Sequence, residues 1–253
     1  VASDVSPGTF SSAPEGIVAM GGEIYFSANE FQGAWRELFA TQGDQATLRL
    51  VKDINIGLSS FPTGMVASAD RIYFAADDGN AGSEPWVTDG TAAGTVRLAD
   101  LVAGDGPSSP TGFGVLAGGD VIFAADSIDG VELFASDGTP ANTGLLSDLD
   151  PGVTTAFSYP DGLTAVAGKQ LYFEASTSDV GAEPRVWSAS TGVQLVADIN
   201  PGPESSNPAG FTHAWLGDHD LVFFGARDDS TGPELWATDG TAAGTQRMGD
   251  IYP

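Results

Sequence analysis

The stretch EPWVTDGTAAGTVRLADL, residues 84–101, returns as ELWATDGTAAGTQRMGDI at residues 234–251. A phrase this long, written twice in one chain, marks a repeat protein. In such a chain each copy is one supersecondary unit, and the number of copies sets the architecture. Five segments end in Asp followed by Ile or Leu, at Asp53, Asp100, Asp148, Asp198 and Asp250, with gaps of 47, 48, 50 and 52 residues. A polar loop carrying a late proline keeps step with them, at Pro14, Pro62, Pro110, Pro160 and Pro208. A glycine follows each proline by two residues, at Gly16, Gly64, Gly112, Gly162 and Gly210. The copies therefore run over about 6–54, 55–101, 102–149, 150–199 and 200–251.

Inside a copy the pattern is that of short strands. In the second, GMVASA reads as a strand of small side chains closed by a turn at Asp70, and RIYFAAD as an aromatic and β-branched strand. After the loop DGNAGS, EPWVT is a third strand, Asp89-Gly90 a turn, and TVRLADL a fourth strand. The second strand recurs as EIYFSA, DVIFAA, QLYFEA and DLVFFGA. No segment carries helical periodicity or helix caps. Four antiparallel strands in a repeat of about 48 residues describe a propeller blade. The expected fold is all-β, a five-bladed β-propeller of four-stranded antiparallel blades, with residues 1–253 as a single domain. The small first strands suit a crowded central axis, and the IYF and Trp positions suit blade-on-blade packing. A larger or linear array from which five units were cut is the alternative. VASDVSPG at the start reads as the end of a further fourth strand. Either Val1–Val5 completes the last blade as a clasp, or the segment belongs to a longer repetitive chain.

Charge and composition narrow the partners. The chain carries 9 Lys and Arg against 34 Asp and Glu, a net charge of −25. Such a field repels nucleic acid and anionic lipid headgroups, and attracts cations. With no cysteine, disulfides, thiolate metal sites and cysteine nucleophiles are excluded. No apolar stretch approaches a membrane span, so neither nucleic-acid binding nor membrane insertion is expected.

The phrases ELWATDGTAAGT, EPWVTDGTAAGT and ELFASDGTPANTG, each followed by a DI or DL and a polar loop, resemble the ELWxxDGTxxGT repeats of large secreted or surface bacterial proteins of adhesin type. Copy number and length are similar to those of the five-bladed lectin tachylectin-2, without a shared motif. The resemblance implies β-propeller blades in a monomeric module of a larger chain, outside the cell or on its surface. Two copies depart from it: EPRVWSASTGVQ lacks the Asp-Gly-Thr turn, and ELFATQGDQATL has Gln42 where Asp stands elsewhere.

Two acids recur in every copy. Glu37, Glu84, Glu132, Glu183 and Glu234 open the third strand; Asp53, Asp100, Asp148, Asp198 and Asp250 close the fourth. Both fall at one edge of an up-and-down blade, together with the loop between strands two and three. They are read either as structural acceptors for loop amides or as a hard-cation site. In the second reading Asp77, Asp78, Asn80, Glu84, Asp228, Asp229 and Glu234 are the candidate Ca²⁺ ligands, because clustered loop oxygens suit that ion. Loop aromatics that could stack on a sugar are Phe31, Trp35, Phe61, Phe157 and Tyr159. Trp86, Trp187 and Trp236 lie on strands and are assigned to packing. His213 and His219 could meet across a turn, but two nitrogens without further ligands do not make a zinc site.

Three function classes stand. An extracellular binding module, lectin-like or adhesin-like, would hold shallow sites for a cell-surface glycan or an extracellular protein or peptide, multiplied for avidity. A scaffold would only present other domains. A glycosidase would need carboxylates in distinct roles from different blades. Acids recurring at equivalent positions favour the first two over catalysis.

Overall fold

The computed structural model describes residues 5, 11–30, 35–128, 130–151, 158–166, 168 and 170–250. Phe31 and Phe157 lie outside these residues, and of Val1–Val5 only Val5 is described.

Each repeat forms one four-stranded antiparallel sheet with its strands in chain order. The first sheet holds β1 (Glu15–Met20), β2 (Glu23–Asn29), β3 (Arg36–Thr41) and β4 (Arg49–Lys52). The second holds β5 (Thr63–Ala67), β6 (Ile72–Asp77), β7 (Ser83–Thr88) and β8 (Val96–Arg97). The third holds β9 (Thr111–Val115), β10 (Val121–Ser127), β11 (Gly130–Ser136) and β12 (Thr143–Ser147), with a 3-10 turn at Pro140–Asn142. The fourth holds β13 (Asp161–Val166), β14 (Gln170–Thr177), β15 (Gly181–Ser188) and β16 (Gly192–Leu195). The fifth holds β17 (Ala209–Leu216), β18 (His219–Asp228), β19 (Gly232–Thr238) and β20 (Gln246–Arg247).

The recurring Pro-x-Gly is a bulge. The ladder of the first two strands slips between Glu15 and Val18, Thr63 and Val66, Asp161 and Thr164, and Ala209 and Thr212. The glycine after each proline sits in that slip with positive φ, 61° at Gly16 and 64° at Gly64, where a Cβ is disfavoured. The residue before each proline is also left-handed although it is not glycine: Ala13, Phe61, Ser109, Tyr159 and Asn207 have φ between 40° and 48°. Five matched outliers mean that the loop is held from outside itself.

The fourth strands of the second and fifth sheets are shorter than the sequence suggests. TVRLADL pairs only at Val96 and Arg97, after which Leu98 N–H still reaches the Pro85 carbonyl at 2.8 Å. Beyond it the chain leaves the ladder, because the Leu101 N–H is taken by the Glu84 side chain instead.

The chain parts into two compact units. One comprises Val1–Val115, Gly119–Ser127 and Ala135–Gly144; the other comprises Leu116–Gly118, Ile128–Phe134 and Leu145–Pro253. In the first, Tyr25, Leu38 and Val51 of the first sheet pack against Ile72, Phe74 and Trp86 of the second. A smaller cluster of Phe26, Ala28 and Phe39 lies against Val5, Leu48 and Leu50. In the second unit, Val166, Tyr172 and Val186 of the fourth sheet pack against Phe211, Val222 and Phe224 of the fifth. The aromatic second strands thus supply the sheet-on-sheet core, each fully buried side chain being worth about 1.5–3 kcal/mol.

Candidate functional site

The invariant glutamates are sealed inside the fold. Glu37, Glu84, Glu132 and Glu183 are at most 1% exposed. Glu84 accepts the Ser108 N–H at 2.8 Å and the Ser108 hydroxyl at 2.7 Å, and the Leu101 N–H at 3.0 Å. Glu37 takes Ser60 and Ile54 in the same way, and Glu183 takes Ser206 and Ile199. Each serine lies two residues before the recurring proline, so the carboxylate ties its own third strand to the loop entering the next sheet. This clasp holds the left-handed residue in place: the Ser60 carbonyl accepts Asp77 N–H from the following sheet at 2.9 Å, and Ser108, Ser158 and Ser206 repeat that bond. Burial raises the carboxyl pKa of Glu37, Glu84 and Glu183, against the pull of these donors.

The Asp-Gly-Thr turn is equally committed. Asp89 Oδ1 accepts the N–H and hydroxyl of Thr91 at 2.8 and 2.7 Å. Those bonds hold its carboxyl below the usual range. Thr88 and Thr95 share a buried hydroxyl contact at 2.7 Å, and Thr91 Oγ1 accepts Gly94 N–H at 2.9 Å. A Cβ on Gly94 would lie 2.1 Å from Asp89 Oδ1, and one on Gly90 would lie 2.2 Å from the Tyr25 hydroxyl of the preceding sheet. Asp239, Gly240, Thr241, Gly244 and Thr245 repeat this arrangement, with Gly240 against the Tyr172 hydroxyl. Within the phrase the Asp, Gly and Thr letters serve the turn and the Glu serves the junction to the next sheet.

Within each sheet the expected cation ligands are taken up by the loop and its neighbours. Asp77 Oδ1 accepts Gly79 N–H, Asp78 Oδ1 accepts Asn80 N–H, and the Asn80 amide donates to the Asp78 carbonyl, all within one loop. Asp78 Oδ2 pairs with Arg97 at 3.1 Å. Asp228 caps Ser230 and Thr231 and pairs with Arg247 at 3.2 Å; the Ser230 hydroxyl, first among its donors, helps to bring its pKa to about 2. Asp229 is exposed, whereas Glu84 and Glu234 are buried. Among the described residues, no three His, Asp or Glu side chains form a group that could hold a metal ion. The recurring Asp of the fourth strand is exposed at Asp53, Asp100 and Asp198, and the Asp100 charge still acts on the buried Glu84 of its own sheet.

Of the aromatics, Trp35 is 42%, Phe61 59% and Tyr159 60% exposed. Phe61 and Tyr159 occupy equivalent positions, the left-handed residue before the proline, where the other copies carry Ala13, Ser109 and Asn207. His213 does not meet His219. It bonds Asp220 across the β17–β18 ladder and stands edge-on to Trp215.

The feature that sequence reasoning missed is where the repeat breaks. Opposite one another on the third and fourth strands stand Phe39 and Leu50, Trp86 and Arg97, and Trp236 and Arg247. In the fourth sheet the pair is Arg185 and Leu195, with cation and apolar partner exchanged. Arg185 is only 9% exposed. It donates through Nη2 to Thr177 Oγ1 at 2.8 Å and through Nε to the Ala175 carbonyl at 3.4 Å, and burial lowers its pKa. It lines an open pocket of about 370 Å³ with Asp150, Thr177, Ser178, Asp179 and Leu195; Leu149, Pro151 and Val180 complete the wall. Asp150 accepts the Ser178 N–H and hydroxyl at 2.9 and 3.2 Å, and Asp179 accepts the Thr177 hydroxyl at 2.6 Å. The signal was available, since the Arg of EPRVW stands where every other copy has Phe or Trp.

No family model and no curated protein matches the chain. Solved structures do. Puromycin hydrolase superposes with a TM-score of 0.61 at 17% identity over 97% of this chain and 39% of its own. A prolyl endopeptidase gives 0.60 at 9% identity over 94% and 36%. Virginiamycin B lyase from Staphylococcus aureus gives 0.51 at 16% identity over 96% and 71%. The chain thus spans well under half the length of the first two. At these identities the likeness concerns the fold alone: the chain is an all-β protein of five four-stranded sheets, with the fold of β-propeller domains.

Proposed function

We propose that the protein is a binding module acting outside a bacterial cell or on its surface, and that a carbohydrate binds in the pocket of the fourth sheet. One observation carries this reading: the repeat abandons its own pattern at Arg185, and a pocket of about 370 Å³ lies where it does so. A buried Arg, two carboxylates and two hydroxyl side chains in fixed orientation suit ligand hydroxyl groups. The walls of Leu149, Pro151, Val180 and Leu195 suit the C–H face of a ring. A glycosidase needs one protonated carboxyl near neutrality, and Asp179, held charged chiefly by the Thr177 hydroxyl, does not supply it.

The scaffold reading has its own support, since the recurring third-strand Glu and the Asp-Gly-Thr turn residues serve the fold. A glycan array separates the two. Binding that is lost in Arg185→Met supports the module, and a blank array leaves the scaffold. The exposed Trp35, Phe61 and Tyr159 are the alternative locus, so a hit that survives Arg185→Met and falls with Trp35→Ala moves the site there.

A further inference from the structure

The pocket holds a cation that makes no direct ion pair: Asp179, Asp150 and Glu183 act on Arg185 only from beyond contact, Asp179 through the intervening Thr177 hydroxyl. In the second and fifth sheets the arginine of the cross-strand pair reaches an aspartate at the end of the second strand: Arg97 to Asp78 at 3.1 Å, and Arg247 to Asp228 at 3.2 Å. The β-ladder places Thr177 at the corresponding position of the fourth sheet, opposite Gly181 as Asp228 is opposite Gly232. Arg185 therefore meets a hydroxyl where its counterparts meet a carboxylate. Among the described residues, no carboxylate oxygen lies within ion-pair distance of Arg185, and Nη1 has no protein partner. Arg185 is nine-tenths buried as a residue while its free Nη1 opens to the pocket, and a planar guanidinium fork matches a carboxylate in two-point contact.

We propose, resting on the reading of this pocket as a carbohydrate site, that its ligand is an acidic sugar whose carboxylate pairs with Arg185. The carboxylate supplies the partner that Asp78 and Asp228 supply elsewhere. The remaining groups demand more than a bare anion. Asp150 and Asp179 accept hydrogen bonds from Ser178 and Thr177 and keep lone pairs free, so the rest of the ligand must bring donors, as sugar hydroxyls do. With two acids in its wall and a chain charge of −25, the pocket repels an anion at long range; a ligand carboxylate is held only by the short contact at Arg185.

The test is calorimetric titration of the protein with galacturonate and glucuronate, their neutral parents galactose and glucose, and acetate. A uronate should bind at least tenfold tighter than its parent sugar and than acetate. Arg185→Met should remove that advantage. Thr177→Asp, which restores the residue of the second and fifth sheets, should occupy Arg185 internally and weaken uronate binding at least tenfold while the fold is kept. A neutral sugar that binds as tightly as its uronate overturns the acidic-sugar assignment and leaves the carbohydrate reading standing; so does a uronate indifferent to both variants. Acetate binding as tightly as uronate also overturns it. If none of the sugars binds, the function reading falls and this assignment with it.

Discussion

Ser206 gives both its backbone N–H and its hydroxyl to Glu183, at 2.9 and 2.7 Å, across the junction between the fourth and fifth sheets. The pair recurs as Ser60 with Glu37 and Ser108 with Glu84, so a buried carboxylate with three donors is the joint of this fold rather than an idle acid.

Removing the joint strands its donors. Glu84→Ala leaves the amides of Leu101 and Ser108 without an acceptor, and the Ser108 hydroxyl with only the Ser83 carbonyl at 3.5 Å, in a site that is 0% exposed. At about 1–3 kcal/mol for each orphaned group, partly relieved by entering water, the loss should be about 3 kcal/mol. Urea denaturation measures it. A change under about 1 kcal/mol would mean that the loop finds other partners.

The same residues set a pH dependence of unusual sign. Burial lifts the carboxyls of Glu37, Glu84 and Glu183 above their ordinary 4.5, although the serine and amide donors oppose it. A carboxyl raised in the folded state holds its proton more tightly there than in the unfolded chain. Its contribution is complete below pH 4.5 and is lost as pH rises through the raised value. Asp89, Asp228 and Asp239 work the other way: lowered from 3.8, they contribute above that value and lose it as pH falls. The penalty of Glu84→Gln should therefore be largest in acid and shrink as pH rises above 4.5. Urea midpoints of both proteins across that range decide it, and a gap that widens with pH would reverse the assignment.

The fold was legible because it is written five times. Periodic prolines, aromatic second strands and the Asp-Gly-Thr turn locate each sheet without any long-range inference. The site was not legible, because counting repeats directs attention to what recurs, and what recurs here serves the turn or the junction. Glu84 and Asp78 look like ligands in a sequence; only the structure shows their oxygens occupied. Arg185 is the converse, a single departure within EPRVW whose meaning depends on Leu195 lying opposite and on Thr177 standing where Asp78 and Asp228 stand.

One repeat position tests how far equivalent letters share equivalent burial. Leu38 and Leu133 are 0% exposed, whereas Leu235, their counterpart in the fifth sheet, is 41% exposed. Leu38→Ala should cost about 2–5 kcal/mol, as cavity-forming core truncations do. Leu235→Ala should cost less than about 1 kcal/mol. Equal losses in denaturant melts would show that the fifth sheet is covered in solution.

The loop acids make a prediction about calcium. Asp78 and Asp228 each give one oxygen to their loop and the other to an arginine, and Glu84 has none to spare. Melting in EDTA and in millimolar calcium should then coincide, because only an ion bound to the folded state shifts the midpoint. A midpoint raised by calcium, and lowered again by Asp77→Asn, would restore these loops as cation sites.

The last prediction concerns what a waiting pocket does to the fold that holds it. Arg185 is buried beside Thr177 with no carboxylate in direct contact, and Asp179, Asp150 and Glu183 offset only part of the cost of burying its charge. Thr177→Asp installs the partner that the second and fifth sheets already use, with Asp179 nearby opposing part of the gain. Stability should rise by about 1 kcal/mol. Arg185→Met removes the charge, keeps an unbranched apolar stem next to Leu195, and should stabilise by a similar amount. Thermal melts without ligand read both. If both variants melt lower than the parent, Arg185 is already satisfied where it lies, and the pocket has no unmet charge to offer a ligand.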